Sequence, residues 1–232
     1  MSQAATVTRL ALREMWITFR LLFVLVAFIG AGAVVALLPA APSVALERLA
    51  LGFGIATAVT SAIAAWSVAD ERTSGRAGWL VARSVSRATY VRGWFGALAA
   101  VALVGIGAGA LLGWMAAANP FASLDMPGFI VAVAAVSGTV AAAIALGIAA
   151  GSLAAPPAAA AGTVLVCGVI GAFTALMPGW ASLGPGAAYV ALARAAGADP
   201  VLASALKATG IGLMLAAILL IVARMAMERA EL

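Results

Sequence analysis

Charge is what this sequence most lacks. Of its 232 residues only 9% are Asp, Glu, Lys or Arg, whereas 66% are hydrophobic and the mean hydropathy is +1.17. Soluble domains carry about 25% charged residues. So little charge cannot cover a water-facing surface, which makes the chain an integral membrane protein. Histidine is absent, which excludes histidine-dependent metal sites, histidine-ligated haem and Ser-His hydrolysis. The single cysteine, Cys167, excludes an internal disulfide and leaves the redox compartment open. The single lysine, Lys207, lies in no G-x-x-x-x-G-K-[ST] pattern, so the chain does not bind and split ATP through a P-loop of its own. Carboxylates are few, and Asp70, Glu71, Asp125 and Asp199 fall at or beyond the ends of apolar runs. Ion-coupled transporters need ionisable groups inside the membrane, and enzymes need clustered acids, bases or metal ligands; neither pattern is here, and no metal-ligating set is expected. The net charge of +5 and the pI near 10.7 do not point to nucleic acid, because in such a chain the placement of basic residues matters more than their sum.

What is present is long apolar runs. A spanning helix needs about 20 mostly apolar residues, and about six segments qualify: 16–38, 49–69, 94–117, 128–150, 158–177 and 205–223. Pro39 and Pro42, Asn119-Pro120 and Pro127, Pro156-Pro157, and Met177-Pro178-Gly179 fall between them. No polar linker is long enough to hold a soluble domain, and no internal repeat is evident. The expected fold is an all-α polytopic membrane protein forming a single transmembrane domain over 1–232. The N-terminus has no short apolar core with a small-residue cleavage site, so the first apolar run is expected to be retained. Ahead of it, residues 5–15 place Arg9 and Arg13 one turn apart, with Val7, Leu10 and Ala11 on another face. This reads either as an amphipathic interfacial helix or as a charged flank that anchors the first span. Between the fifth and sixth runs, GWASLGPGAAYVALARAAGADPVLASAL is too broken to span and too apolar for a plain loop. Tyr189 to Ala196 is expected to form a short helix, ended by Gly197 and Pro200, in a re-entrant segment on the outer side before the last span.

Arginines set the orientation. With a cytoplasmic N-terminus, the inner segments hold Arg9, Arg13, Arg20, Arg72, Arg76, Arg83, Arg87, Arg92, Arg224 and Arg229, and the outer ones only Arg48, Arg194 and Lys207. That bias predicts a multi-pass protein of the cell's inner (plasma) membrane with both termini cytoplasmic. Trp16, Trp66, Trp94, Trp114 and Trp180 fall near span ends, where interfacial anchors sit.

One inner segment is unusual. Residues 70–93 read DERTSGRAGWLVARSVSRATYVRG. Topology accounts for the sign of the charge but not for Trp79, Leu80 and Val81, which need something to pack on. Ser86 is placed to cap a following helix. A helix–break–helix hairpin with polar and apolar faces has the shape of a docking element; the plainer alternative is a loop that orients the protein and binds anionic membrane lipids.

The stretch resembles the cytoplasmic coupling segment of ABC-2 type transporter permeases. That family shows E-R-E-x-G-T-L-E-x-L-L-x-x-P-V-S-R and, further on, G-K. Without gaps, Glu71-Arg72, Gly75, Leu80-Val81, Val85-Ser86-Arg87 and Gly93 match. Ser84 stands where proline is usual, Arg76-Ala77-Gly78 replaces Thr-Leu-Glu, and Trp94 replaces lysine. The resemblance extends to the topology of the whole chain. It implies that Glu71, Arg72, Gly75, Trp79, Leu80, Arg83, Ser86 and Arg87 dock a separate P-loop ATPase. Two copies of that ATPase are expected, carrying the ATP and Mg, so that this chain binds no cofactor and is not itself an enzyme. A second permease, identical or related, would complete the path.

Small residues recur at Gly105, Gly109 and Gly113 and at Gly147 and Gly151, a spacing that lets helices approach closely, within one subunit or at a dimer seam. Thr57, Thr60, Ser61, Ser137 and Thr139 either line a substrate path or bond their own helix backbones. The resemblance thus implies an exporter permease, and the weakly polar interior suggests an amphiphilic substrate such as a lipid-linked glycan, drug or peptide. A non-transporting scaffold or regulatory subunit that anchors a partner complex fits the same charge and topology.

Overall fold

The computed structural model describes residues 3–38, 40–78, 85–117, 126–177, 186–195 and 201–229, and no strand occurs among them. The helices are α1 (Gln3–Ile17), α2 (Arg20–Leu37), α3 (Pro42–Thr73), α4 (Arg87–Ala117), α5 (Met126–Leu153), α6 (Pro156–Leu176), α7 (Ala187–Ala193) and α8 (Val201–Arg229). All but α1 and α7 contain a stretch long and apolar enough to cross a membrane, six among the described residues, and the chain is a multi-pass membrane protein. Large apolar side chains left outside the bundle, including Phe23 and Val26 on α2, Leu165 and Val169 on α6 and Leu213 and Ile221 on α8, form the surface that hydrocarbon covers.

Several prolines start helices rather than merely separating them. Pro42 and Pro156 occupy the first turns of α3 and α6, where the missing N–H would have had no helical partner. The preceding Ala41 and Ala155 are extended (ψ 148° and 154°), as a following proline demands. The expected first span beginning at residue 16 is corrected. Trp16 and Ile17 finish α1, and Phe19, at φ 58°, turns the chain through a left-handed elbow before α2 begins at Arg20. A helix does precede the first span, but Val7, Ala11 and Met15, at 0–3% exposure, are buried in the core, and α1 packs on α4 and α2. Its outward face carries Arg9 and Arg13 beside exposed Leu10, Trp16 and Ile17.

The spans are longer than the apolar runs alone indicated. The 32 residues of α3 measure about 48 Å at 1.5 Å per residue, against a hydrocarbon core of about 30 Å. Its last two turns, with the opening turns of α4, build a hairpin end that carries polar groups out of the apolar slab.

The bundle is held by pairs of parallel helices two or more elements apart. Gly109 of α4 lies on the backbone of Phe28, and Gly32 of α2 lies on Gly109 in turn. Gly147 meets Ser61 and Ala64, and one turn on Gly151 meets Ala65 and Val68, so α5 runs beside α3 in the same direction. Gly138 and Gly212 bring α5 and α8 together backbone to backbone. A side chain at Gly32, Gly109, Gly147, Gly151 or Gly212 would collide with a neighbouring main chain, and one at Gly138 would press tightly on Thr209, so these glycines serve packing within one subunit. Phe28 and Phe53 meet edge to face across α2 and α3, with ring centroids 5.6 Å apart. By contrast α6 is peripheral: it packs chiefly along one edge, with Ala159 and Thr163 buried.

Candidate functional site

Polar side chains converge where α3 ends and α4 begins. The converging groups come from α1, α2, α3, α4 and the α5–α6 turn, and each is placed by a helix end.

Glu71 sits in the penultimate position but one of α3 and is 8% exposed. Its Oε2 accepts a hydrogen bond from the Tyr90 hydroxyl at 2.6 Å and another from Trp94 Nε1 at 3.0 Å. Tyr90 and Trp94 stand one turn apart on the buried face of α4, at 0% and 1% exposure. A buried carboxylate is tolerable only when its lone pairs are occupied, and these two donors occupy one oxygen twice. Trp94 is therefore not an interfacial anchor; that expectation is overturned by its burial and its bond to Glu71.

Arg72, the next residue, turns the other way. Its Nη2 donates to the Ala154 carbonyl at 2.9 Å and its Nε to the Gly151 carbonyl at 3.4 Å. These carbonyls belong to the C-terminal end of α5 and its exit, where helical acceptors run out of partners and the helix dipole favours a cation.

Asp70 is shared by two arginines, Arg20 at 3.3 Å and Arg76 at 3.0 Å. Arg20 also donates to Ser67 at 3.2 Å, which pins the start of α2 to α3. Arg76 reaches back to Glu14 of α1 at 2.7 Å. Desolvation works against the Arg76 charge, but the Glu14 hydrogen bond and the carboxylates of Glu14, Asp70 and Glu71 outweigh it, so its pKa lies above the ordinary arginine value. Gly75, at φ +75°, makes the turn that points Arg76 back at α1, a conformation glycine adopts without steric penalty. Thr8 of α1 donates to the Gly93 carbonyl of α4 at 3.2 Å, and Gly93 has no room for a side chain beside Val7.

At the far side of the hairpin Ser86 accepts the Thr89 N–H at 3.1 Å and so caps α4, the role its position predicts. The Arg87 Nε is buried and has no hydrogen-bond partner among the described residues.

Of the residues expected to dock an ATPase, Gly75 and Ser86 are exposed, Arg72 and Arg87 are half-buried, and Glu71 is buried. Trp79, Leu80 and Arg83 lie outside the described residues, as does Trp180. Sequence reasoning missed Asp70 and Glu14 as partners of Arg76, Arg20 as a second partner of Asp70, and Tyr90 as a partner of Glu71. The available signal was that Tyr90 and Trp94 share a helix face with i,i+4 spacing.

The hydroxyl residues form a second group. Thr57, Thr60, Ser61 and Thr139 are buried, and Ser137 is half-buried. Thr60 donates to Ala56, Ser137 to Val133 and Ser61 across to Ala143 of α5. Thr57 bonds Phe53 of its own helix and lies 2.6 Å from the Tyr189 hydroxyl of α7. The short helix begins two residues earlier than expected and ends at Ala193. It packs against α3, α5 and α8, with Ala187, Ala188, Ala191 and Leu192 buried.

Among the described residues no group of three or more His, Cys, Asp or Glu is placed to hold a metal ion. No family model and no curated protein matches the chain.

Proposed function

We propose that this chain is the permease subunit of an ABC-2 type exporter. It forms the membrane path and couples ATP hydrolysis by a separate ATPase subunit to export of an amphiphilic substrate, such as a lipid-linked glycan, a drug or a peptide. The observation that carries the reading is the hairpin end. One polar junction joins α1, α2, α3, α4 and the end of α5, at the segment whose residue pattern resembles the family's coupling segment. A push delivered there reaches most of the bundle as a rigid-body shift.

In this reading the hairpin end faces the cytoplasm, both termini lie on that side of the inner (plasma) membrane, and two ATPase subunits bind beneath two permease chains. Thr57, Thr60, Ser61 and Thr139 are packed inside one bundle, which favours a path between two bundles over one through a single chain. The test is affinity purification of the full chain from its native membrane in mild detergent. A P-loop ATPase is expected to co-purify, with ATP hydrolysis that responds to substrate. A chain that purifies without any ATPase, from membranes where the neighbouring reading frames encode none, overturns the proposal.

A further inference from the structure

We infer that Glu71 and Arg72 are a pair of positioning residues that brace the end of α3 in two directions, so that the hairpin, α4 and the end of α5 move as one body. This deepens the permease reading and rests on it only for the identity of the driving partner. The resemblance alone assigns both residues to the docking surface. The geometry turns them inward.

Neighbouring residues on a helix project about 100° apart. Here that angle sends the carboxylate toward α4 and the guanidinium toward the α5–α6 turn. Glu71 is gripped by Tyr90 and Trp94, which are themselves fully buried. Arg72 occupies carbonyls at the C-terminal end of α5. One turn before Arg72, Gly151 lies against Ala65, Val68 and Ala69 of α3, so α5 is already in backbone contact there. The end of α3 therefore cannot be displaced alone: moving it drags α4 through the carboxylate or breaks two buried hydrogen bonds, and drags α5 through the guanidinium. Arg76, bonded to Glu14 and Asp70, adds α1 to the same unit. A surface contact with a partner would leave these groups free to face it, whereas the buried bonds of Glu71 to Tyr90 and Trp94 and the bonds of half-buried Arg72 to the α5 carbonyls commit them to transmission.

The experiment measures spin-label distances in the full chain, in lipid nanodiscs, with Cys167→Ala as background. One pair, Thr73→Cys with Arg92→Cys, reports α3 against α4. The other, Thr73→Cys with Ala155→Cys, reports α3 against the α5–α6 turn. Glu71→Leu should broaden only the first distance distribution and Arg72→Gln only the second. Glu71→Gln keeps a carbonyl acceptor for Tyr90 and Trp94 and should restore the narrow first distribution, an outcome that general unfolding cannot mimic. Unchanged distances in Glu71→Leu, or both distributions broadened by either substitution, overturn the brace. If an ATPase co-purifies, Glu71→Leu should retain it and lose substrate-stimulated hydrolysis. Loss of the ATPase with both distances unchanged would return Glu71 to the docking surface. If no ATPase is found, the permease reading falls and the distances still decide the brace.

Discussion

Gly109 of α4 rests on the Phe28 carbonyl of α2, with no space between the two main chains for even a methyl group. Apolar attraction between helices vanishes in lipid, so close backbone approach of this kind carries much of the association. Gly109→Val should therefore destabilise the folded chain by about 1–3 kcal/mol, the usual range for overpacking. Gly54→Ala, where a Cβ meets nothing within 4 Å, should be close to neutral. Unfolding titrations in mixed micelles give the comparison; equal losses at both sites would remove the packing argument.

Gly75 has the opposite character. Its φ is +75°, and a Cβ there would meet nothing within 4 Å, so any cost of substitution comes from the backbone alone. Gly75→Ala should cost about 1–2 kcal/mol, the left-handed penalty for an L-residue. Gly75→Val should cost more, and Gly75→Asn less, since asparagine tolerates that region. Thermal unfolding of the three variants should follow that order.

The Arg76 contacts should be sensitive to salt and indifferent to pH near neutrality. A pKa raised above the ordinary arginine value means that the folded state holds the proton more tightly than the unfolded state. The contribution is thus fully present below the unfolded pKa and lost only as pH rises through the folded one, far above the neutral range. The Arg76 side chain is 47% exposed, so the contact with Glu14 is worth no more than about 1 kcal/mol. Raising ionic strength should lower hydrogen-exchange protection within α1, while titration around neutrality should leave that protection, corrected for the intrinsic exchange rate, unchanged.

Orientation is open to a direct test. In a Cys167→Ala background, Thr73→Cys at the hairpin end and Arg48→Cys near the start of α3 are both exposed positions. A membrane-impermeant maleimide should label Thr73→Cys only from the cytoplasmic side and Arg48→Cys only from outside. Labelling of Thr73→Cys from outside would invert the topology and remove the basis for a cytoplasmic docking partner.

Much of this architecture was legible in the composition, and some of it was not. Six apolar runs name six helices because the bilayer imposes one length and one polarity. Their ends were misjudged where the bilayer stops deciding: residues 70–73 and 87–93 continue α3 and α4 on polar contacts that hydropathy does not register. The elbow at Phe19 carries no glycine or proline to announce it; it joins α2 to an α1 that packs on α4 and α2, with Val7 against Gly93. The glycines at 109, 147 and 151 signalled close approach, and their partners could be found only in three dimensions. Trp94 illustrates the limit. A tryptophan near a span end usually marks the interface, but a buried carboxylate 23 residues away gives its N–H a stronger claim.

The pairing of α5 with α8 also constrains how the chain is made. The Gly138 surface that receives α8 near Thr209 and Gly212 is finished some seventy residues of synthesis, by sequence position, before its occupant exists. During that interval α5 stands in the membrane with a bare backbone groove, shielded by lipid or by the insertion machinery. Premature termination anywhere before α8 should thus yield a fragment that inserts but never matures, and that is cleared by membrane proteases rather than accumulating as a smaller working protein.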